Sequence, residues 1–322
     1  MRRNTIHNRG RRLMATIVAA AMFAVGIPAG AQESGPLDRV NIHVGDGGER
    51  YVKRAEEQIV KLWELVQDHA QTVGVDQLPT FDLYLYGSHE EAVAGSGMSE
   101  LATYNGYAVG GRAYVAMGEV DNEPVVAHET LHIIQQPLAG GNANYCLDEG
   151  AAEWYEMAVG LKAGTLVGKA KQRAAKLRGD YGTLYIDGIS VDDITLNDVI
   201  THQGFNKVAG SDPGGLYDLC AVAFWMLVET GGGEEAYWKY LKDSRQHGWK
   251  GAFERNFPYS WDDYVARFER FRDSGYVEMF TEEEKAERAR AEAAEAARQI
   301  RIHLIKAILA GVCDPTARPC PE

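Results

Sequence analysis

The pentapeptide His128-Glu129-Thr130-Leu131-His132 carries the clearest chemical signal in this sequence. Histidines at positions i and i+4 lie one above the other on a helix face, so two imidazole nitrogens can reach a single zinc ion. The glutamate between them can hold a water molecule at that metal and act as a general base. The spacing therefore predicts a zinc site on a helix. Two ordinary core or surface histidines on one helix are the alternative.

The surrounding residues favour a partly buried helix for this motif. Asp121 and Asn122 are candidate N-caps, and Pro124 suits the first turn. Apolar side chains then recur at helical spacing beside the two histidines. A catalytic zinc takes three protein ligands and leaves its fourth position for water, so a third ligand must come from another part of the chain.

A second predicted helix, over residues 147–156, offers acidic candidates for that ligand. Glu149, Glu153 and Glu156 share one of its faces. An amphipathic helix with a merely solvated acidic face would show the same pattern. The residues alone leave both interpretations open.

The two motifs together resemble the gluzincin metallopeptidases, in which HExxH is followed on the next helix by a glutamate ligand. The run Glu149-Gly150-Ala151-Ala152-Glu153-Trp154 is similar to that element in the collagenase-like and aminopeptidase-like branches. Segments 217–225 and 261–268 resemble later helices of bacterial peptidase-MA-like proteins. The resemblance spans roughly residues 101–272, with its strong motifs at 124–156.

This resemblance implies roles for individual residues. Glu149 would be the third zinc ligand, and Glu153 would accept the N–H of a ligating histidine and fix its orientation. Glu153 as the ligand itself is the alternative. A tyrosine that donates a hydrogen bond to the oxyanion is expected further along the chain. Tyr217 is the candidate, with a core tyrosine as the alternative and His202 as a second contender.

The implied activity is peptide-bond hydrolysis with Zn²⁺ as cofactor. Zinc held by His128, His132 and Glu149 would lower the pKa of its water to about 7 and polarise the scissile carbonyl. Glu129 would take the proton of that water and pass it to the leaving amine. Two other classes stay open: a catalytically silent binding or envelope-structural protein on the same fold, and a zinc hydrolase of a non-peptide amide.

Strands are predicted early in the chain and helices later. The strand predictions are 40–44, 81–86 and a pair within 102–118, with an amphipathic helix over 49–73 and mainly helical signal from 122 onward. This order predicts an α+β fold without βαβ alternation. By the resemblance it is zincin-like, with a small mixed sheet over the HExxH helix and a mostly helical C-terminal half. Arg112–Met117 is the predicted edge strand, which could pair with an extended substrate.

Residues 1–31 are predicted to be a signal peptide. A basic segment precedes the apolar run Leu13–Ile27, and Ala29-Gly30-Ala31 is the small-x-small pattern of a cleavage site. An uncleaved anchor helix is the alternative, and both interpretations make the protein secreted or periplasmic. Residues 32–280 would then be the metallopeptidase domain, and 281–322 a charged helix with a disulfide-containing tail.

Charge restricts the partners. The 322-residue chain has a formal net charge of −13, which would become −18 on removal of the five arginines in residues 1–31. Such a field repels phosphate backbones, so nucleic acid is not an expected partner. A peptide or protein substrate is expected, and membrane contact only if the signal segment stays uncleaved.

The four cysteines all lie beyond the predicted signal peptide. In an oxidising compartment an even number of cysteines indicates disulfides before metal binding or catalysis. Cys313 and Cys320 close a short loop that contains two prolines, which makes them the local pair. That pairing leaves Cys146 to bond with Cys220.

Overall fold

The computed structural model describes residues 35–119, 123–160, 185–186, 189–190, 194–209 and 214–274, with isolated helical positions at 286, 289, 290, 298 and 302. The predicted signal peptide, the candidate N-caps Asp121 and Asn122, and the Cys313–Cys320 pair lie outside the described residues, as does most of the tail predicted for 281–322.

The chain divides into two compact units. Residues up to Val265 form the first, which holds the sheet, the metal motif and most of the helices. The second begins at Ala266 and includes the last part of a helix, in which Phe268 and Phe271 are buried and their ring centroids lie 6.0 Å apart.

The first unit contains a four-stranded mixed sheet. Its strands are β1 (Val40–Val44), β2 (Phe81–Tyr86), β3 (Gly106–Val109) and β4 (Arg112–Ala116), in the spatial order β1-β2-β4-β3. The pairs β1/β2 and β2/β4 are parallel, whereas β3 and β4 form an antiparallel hairpin. Gly110 and Gly111 make its turn at φ of 57° and 76°, a backbone conformation that favours glycine.

Two expectations about this sheet were wrong. Helix α1 (Val52–Thr72) connects the parallel strands β1 and β2, so βαβ alternation does occur. Strand β4, predicted as the edge at Arg112–Met117, lies between β2 and β3. Four of its five residues are buried, and such a continuous apolar run is typical of a strand that is covered on both faces. The exposed edge on that side of the sheet is β3.

Helices dominate the chain after the sheet. They are α2 (His89–Ser96), α3 (Val125–Ala139), α4 (Tyr145–Gly160), α5 (His202–Ala209), α6 (Gly214–Thr230), α7 (Glu234–Asn256) and α8 (Trp261–Ser274). A short hairpin of β5 (Tyr185–Ile186) and β6 (Ile189–Ser190) was not predicted. The α+β class and the small mixed sheet are confirmed. Among the described residues, no helix combines the length and apolar character needed to cross a membrane.

Helices α4 and α6 are packed closely and linked covalently. Cys146 and Cys220 form a disulfide with their Cα atoms 5.0 Å apart, which confirms the predicted pairing. A disulfide of this kind is consistent with an extracellular protein. One turn beyond Cys146, Gly150 lies so close to α6 that a Cβ there would overlap the carbonyl oxygen of Cys220. Glycine at 150 therefore sets the distance between the two helices.

Gly150→Ala is expected to lower the free energy of unfolding by roughly 1–3 kcal/mol, because the added methyl group must push α6 away from α4. Gly251→Ala is the matched control in helix α7, where a Cβ would meet the His247 Cβ at an ordinary 3.5 Å. This control should leave stability unchanged or raise it by up to about 1 kcal/mol. Urea denaturation of both variants measures the difference. Equal stability changes would contradict the close helix contact.

Candidate metal centre

Helix α3 holds the HExxH motif in the interior of the first unit. It contacts β3 and β4 on one side and helices α1, α4 and α7 on others. His128 and His132 are each 7% exposed and Glu129 is 6% exposed. The apolar stripe expected beside the histidines is present, since Leu131 and Ile134 are fully buried. Packing on several sides therefore fixes the direction of the motif's side chains.

A tight connection brings α4 back against α3. Gly140 ends α3 at φ 61° and Gly141 follows at φ 78°, so the chain reverses in a conformation that favours glycine. The side-chain oxygen of Asn144 accepts a hydrogen bond from Leu147 N–H at 3.2 Å, which caps the start of α4. The Asn144 N–H itself donates to the Tyr240 hydroxyl at 2.9 Å. The start of α4 is thereby fixed one turn before Glu149.

The three predicted ligands meet between these helices. The Nε2 atoms of His128 and His132 lie 3.3 Å and 3.4 Å from the same oxygen, Oε2, of Glu149. Glu149 is 6% exposed, so all three residues are buried. Their ligand atoms lie within 4.8 Å of one another, and this group could hold a metal ion. The acidic face of α4 is therefore turned toward α3 rather than simply solvated.

The second nitrogen of each imidazole faces another carboxylate. His128 Nδ1 lies 3.0 Å from Glu156 Oε2 and 3.8 Å from Glu153 Oε1. His132 Nδ1 lies 3.6 Å from Asp148 Oδ2. The resemblance assigned this outer role to Glu153, whereas Glu156 is the nearer partner of His128. Glu156 shares a helix face with Glu149, and this pattern indicated that it could contact His128. No spacing in the sequence indicated that Asp148 would approach His132.

Glu153 and Glu156 also form, with His128, a second group that could hold a metal ion. It involves the Nδ1 side of His128, and both of its acids are only partly buried. The first group offers the Nε2 atoms of two buried histidines to one buried carboxylate. It is the better match to a metal site with three protein ligands and an open fourth position.

Electrostatic coupling between the three residues is strong. Burial disfavours the charged form of Glu149, but the charge of His132 and the hydrogen bond from His128 hold its pKa well below the ordinary value. Burial likewise opposes protonation of His132, yet the attraction of the nearby carboxylates, Glu149 first and then Asp148, raises its pKa to about 10. The group is therefore held together by opposite charges in a water-poor setting.

Glu129 lies beside the ligands in a different environment. Burial raises its pKa to about 7, and the charges of His128 and His132 oppose this shift. Its carboxylate is packed against strand β3, because a Cβ at Gly106 would overlap it. Glycine at 106 therefore lets the edge strand approach the carboxylate closely.

The ligand group and Glu129 open into a cavity of about 550 Å³. Tyr217 lines this cavity, with its ring centroid 6.2 Å from that of His128. Burial and the nearby acids, Glu149 first, raise the pKa of Tyr217 well above its ordinary value, so its hydroxyl keeps its proton. His202 lines the cavity as well, and its Nε2 lies 3.0 Å from Asn206 Nδ2. Both predicted oxyanion candidates are thus at the site.

Tyr104 and Tyr145 also line the cavity, and the sequence did not single them out. Tyr145 lies one turn before Glu149 on α4, and its ring packs against His202 at a centroid distance of 5.1 Å. The hydroxyl of Tyr104 donates a hydrogen bond to Asn206 at 3.4 Å. No motif marks either residue, because each reaches the site through tertiary packing.

Comparisons with protein-family profiles, with curated proteins and with solved structures found no match for this chain. The chemistry of the centre must therefore be inferred from its own residues.

Glu156→Gln is expected to weaken metal binding by about 10- to 100-fold, because it removes the anionic acceptor 3.0 Å from His128 Nδ1. Glu153→Gln is the matched comparison and should cost less, since its carboxylate lies 3.8 Å from the same nitrogen. Competition with a fluorescent zinc chelator measures both affinities. A larger loss of metal affinity in Glu153→Gln than in Glu156→Gln would show that Glu153 is the main partner of His128 Nδ1.

Proposed function

We propose that this protein is an exported, zinc-dependent peptidase of the gluzincin type. His128, His132 and Glu149 would hold the metal, and Glu129 would act as the general base. One observation carries the proposal: two buried Nε2 atoms approach a single Glu149 oxygen at 3.3 Å and 3.4 Å, in a cavity that also contains the Glu129 carboxylate.

The donor set fits zinc. Two imidazole nitrogens and one carboxylate oxygen are a common ligand combination for catalytic zinc. The outer nitrogens of His128 and His132 each face a carboxylate, which orients the rings and increases the basicity of the ligating nitrogens. When bound, zinc supplies a Lewis acid that polarises the scissile carbonyl and acidifies the attacking water.

Glu129 is suited to move the proton. It is held between the two histidines on α3, and its carboxylate is buried beneath Gly106 of strand β3. A carboxylate at this place can take a proton from water on the cavity side and deliver it to the leaving amine. Because β3 covers the carboxylate, bulk water is kept away from the proton during transfer.

Strand β3 would position the peptide. It is an edge of the sheet and lines the cavity along its length, so an extended peptide can add to it as another strand. The carbonyl oxygen of Ala108 accepts a hydrogen bond at 3.1 Å from Gln136 Nε2 on α3. This carbonyl of β3 is therefore bonded to the helix that carries the metal motif. A peptide added to β3 would have its backbone near Glu129, which contacts Gly106 of the same strand.

Tyr217 would stabilise the oxyanion. It lines the cavity next to His128 and is held by ring contact with Phe205 at a centroid distance of 5.2 Å. A hydroxyl in this position can donate a hydrogen bond to the oxygen on which charge develops.

Glu129→Gln should retain zinc and lose about 10²- to 10⁴-fold in kcat, because glutamine keeps the side-chain volume but cannot accept the proton. Glu149→Gln should instead lower both metal content and activity, since it removes an anionic ligand. Cleavage of a fluorescent peptide mixture and zinc content by mass spectrometry separate the two. Full activity in Glu129→Gln would refute its role as base. Failure of the zinc-loaded wild type to cleave any peptide would favour the silent binding protein or the non-peptide hydrolase.

Tyr217→Phe should lower kcat by about 10²-fold while KM and zinc content stay unchanged, because a donor that acts mainly in the transition state is lost. His202→Gln is the comparison, and its effect on kcat should be smaller. Steady-state kinetics on the same peptide measures both. If His202→Gln shows the larger loss, the oxyanion role belongs to His202.

A further inference from the structure

We propose that the cleft selects peptides that carry a lysine or arginine at the substrate position beside Tyr107, and that Glu100 recognises the positive charge. This inference rests on the proposed function, because it requires a peptide bound along strand β3. It adds a substrate class that the metal centre alone does not indicate.

The acids that line the cleft outnumber its basic side chains, which are all histidines. Its charged residues include four acids, Glu100, Glu129, Asp148 and Glu149, and no lysine or arginine is present among the described lining residues. Three of these acids are engaged at the centre, as metal ligand, as partner of His132 and as base. Glu100 differs from them because it is exposed, and it accepts a hydrogen bond at 3.4 Å from the hydroxyl of its neighbour Ser99.

Glu100 is held in place by its own short helix. It lies in the 3₁₀ helix Ser99–Ala102, whose Leu101 is fully buried in a cluster with Tyr86 and Tyr114 on one face of the sheet. Tyr107 packs against the same cluster. The helix Ser99–Ala102 contacts strand β3, and Glu100, Tyr107 and Glu129 all line the cleft. Tyr107 therefore lies near both acids.

The alternation of side chains on β3 assigns the two acids to opposite faces. The Cβ direction of Gly106 points at Glu129, so Tyr107, the next residue, points to the other face. Tyr107 is paired with Tyr114 of β4, whose side chain lies in the cluster on that face. Glu129 and the metal ligands thus lie on the inner face of the sheet, and Tyr107 and Glu100 on the outer one.

A peptide added to β3 continues this alternation. Every second substrate side chain then lies on the outer face, and one of these lies beside Tyr107. A lysine or arginine there can place its aliphatic stem along the tyrosine ring and bring its charged end to Glu100. An aspartate or glutamate at the same position would instead be repelled by the carboxylate of Glu100. The net charge of −13 further attracts cationic peptides.

The test uses the zinc-loaded full chain and internally quenched peptides of alanine and serine, in which a single Lys, Gln or Glu is scanned along the sequence. At one position the wild type should prefer Lys over Gln by about 2- to 5-fold in kcat/KM, as expected for a partly exposed ion pair. Glu100→Gln should reduce the ratio of kcat/KM for the Lys peptide to that for the Gln peptide to about 1. Glu64→Gln, an exposed acid on α1, is the matched control and should keep the preference for Lys.

A second readout does not need turnover. Fluorescence anisotropy of a labelled Lys peptide with EDTA-treated protein should show weaker binding in Glu100→Gln than in wild type, and high salt should reduce the difference. Peptide cleavage with no preference for Lys at any position, or a preference that Glu100→Gln leaves intact, would overturn this inference while leaving the peptidase assignment standing. Absence of both zinc binding and cleavage would overturn the two together.

Discussion

A buried carboxylate held between two buried imidazoles is the contact on which the rest of this structure depends. Removing charged groups from water is costly, and the cost is recovered only when the partners are held at hydrogen-bonding distance. Glu149 meets His128 and His132 from a different helix, so α3 and α4 must be fixed relative to each other to within a fraction of an ångström. The two glycines after α3 and the Asn144 cap at the start of α4 provide this constraint at the connection.

Contact with helix α6 is a second constraint on the position of α4. The disulfide joins Cys146 to Cys220, and Gly150 lets the two helices touch at the turn next to Glu149. A shift of α4 along its axis would break the contact of Glu149 with both imidazoles and also that of Glu156 with His128 Nδ1. The covalent link and the close packing therefore preserve the same geometry that orients the ligands. Cys146, Cys220 and Gly150 therefore help to position the centre, although none of them is a candidate ligand or base.

The sequence predicted what depends on local pattern. The strands at 40–44 and 81–86, the helix after residue 49 and the HExxH helix follow from periodicity. The Cys146–Cys220 pairing follows once Cys313 and Cys320 are assigned to each other because of their short spacing in the sequence. The features that the sequence did not predict depend on contacts between segments that are far apart in the chain. Parallel pairing of β1, β2 and β4 is not encoded locally, so the sequence does not show that β4, predicted as the edge, is an interior strand. Asp148, Tyr104 and Tyr145 reach the site through the same kind of long-range packing.

The acidic face of α4 illustrates why a helical pattern alone could not decide its role. A solvated face and a ligand-bearing face have the same spacing, since both place acids at positions one turn apart. The deciding factor is the neighbour, and here the neighbour is a helix with two histidines whose four ring nitrogens need partners. Glu149 faces the inner nitrogens, while Glu156 and Asp148 face the outer ones. The acids of α4 and the histidines of α3 therefore form one complementary surface, in which the outer carboxylates restrict ring rotation so that both inner nitrogens stay directed at a single point.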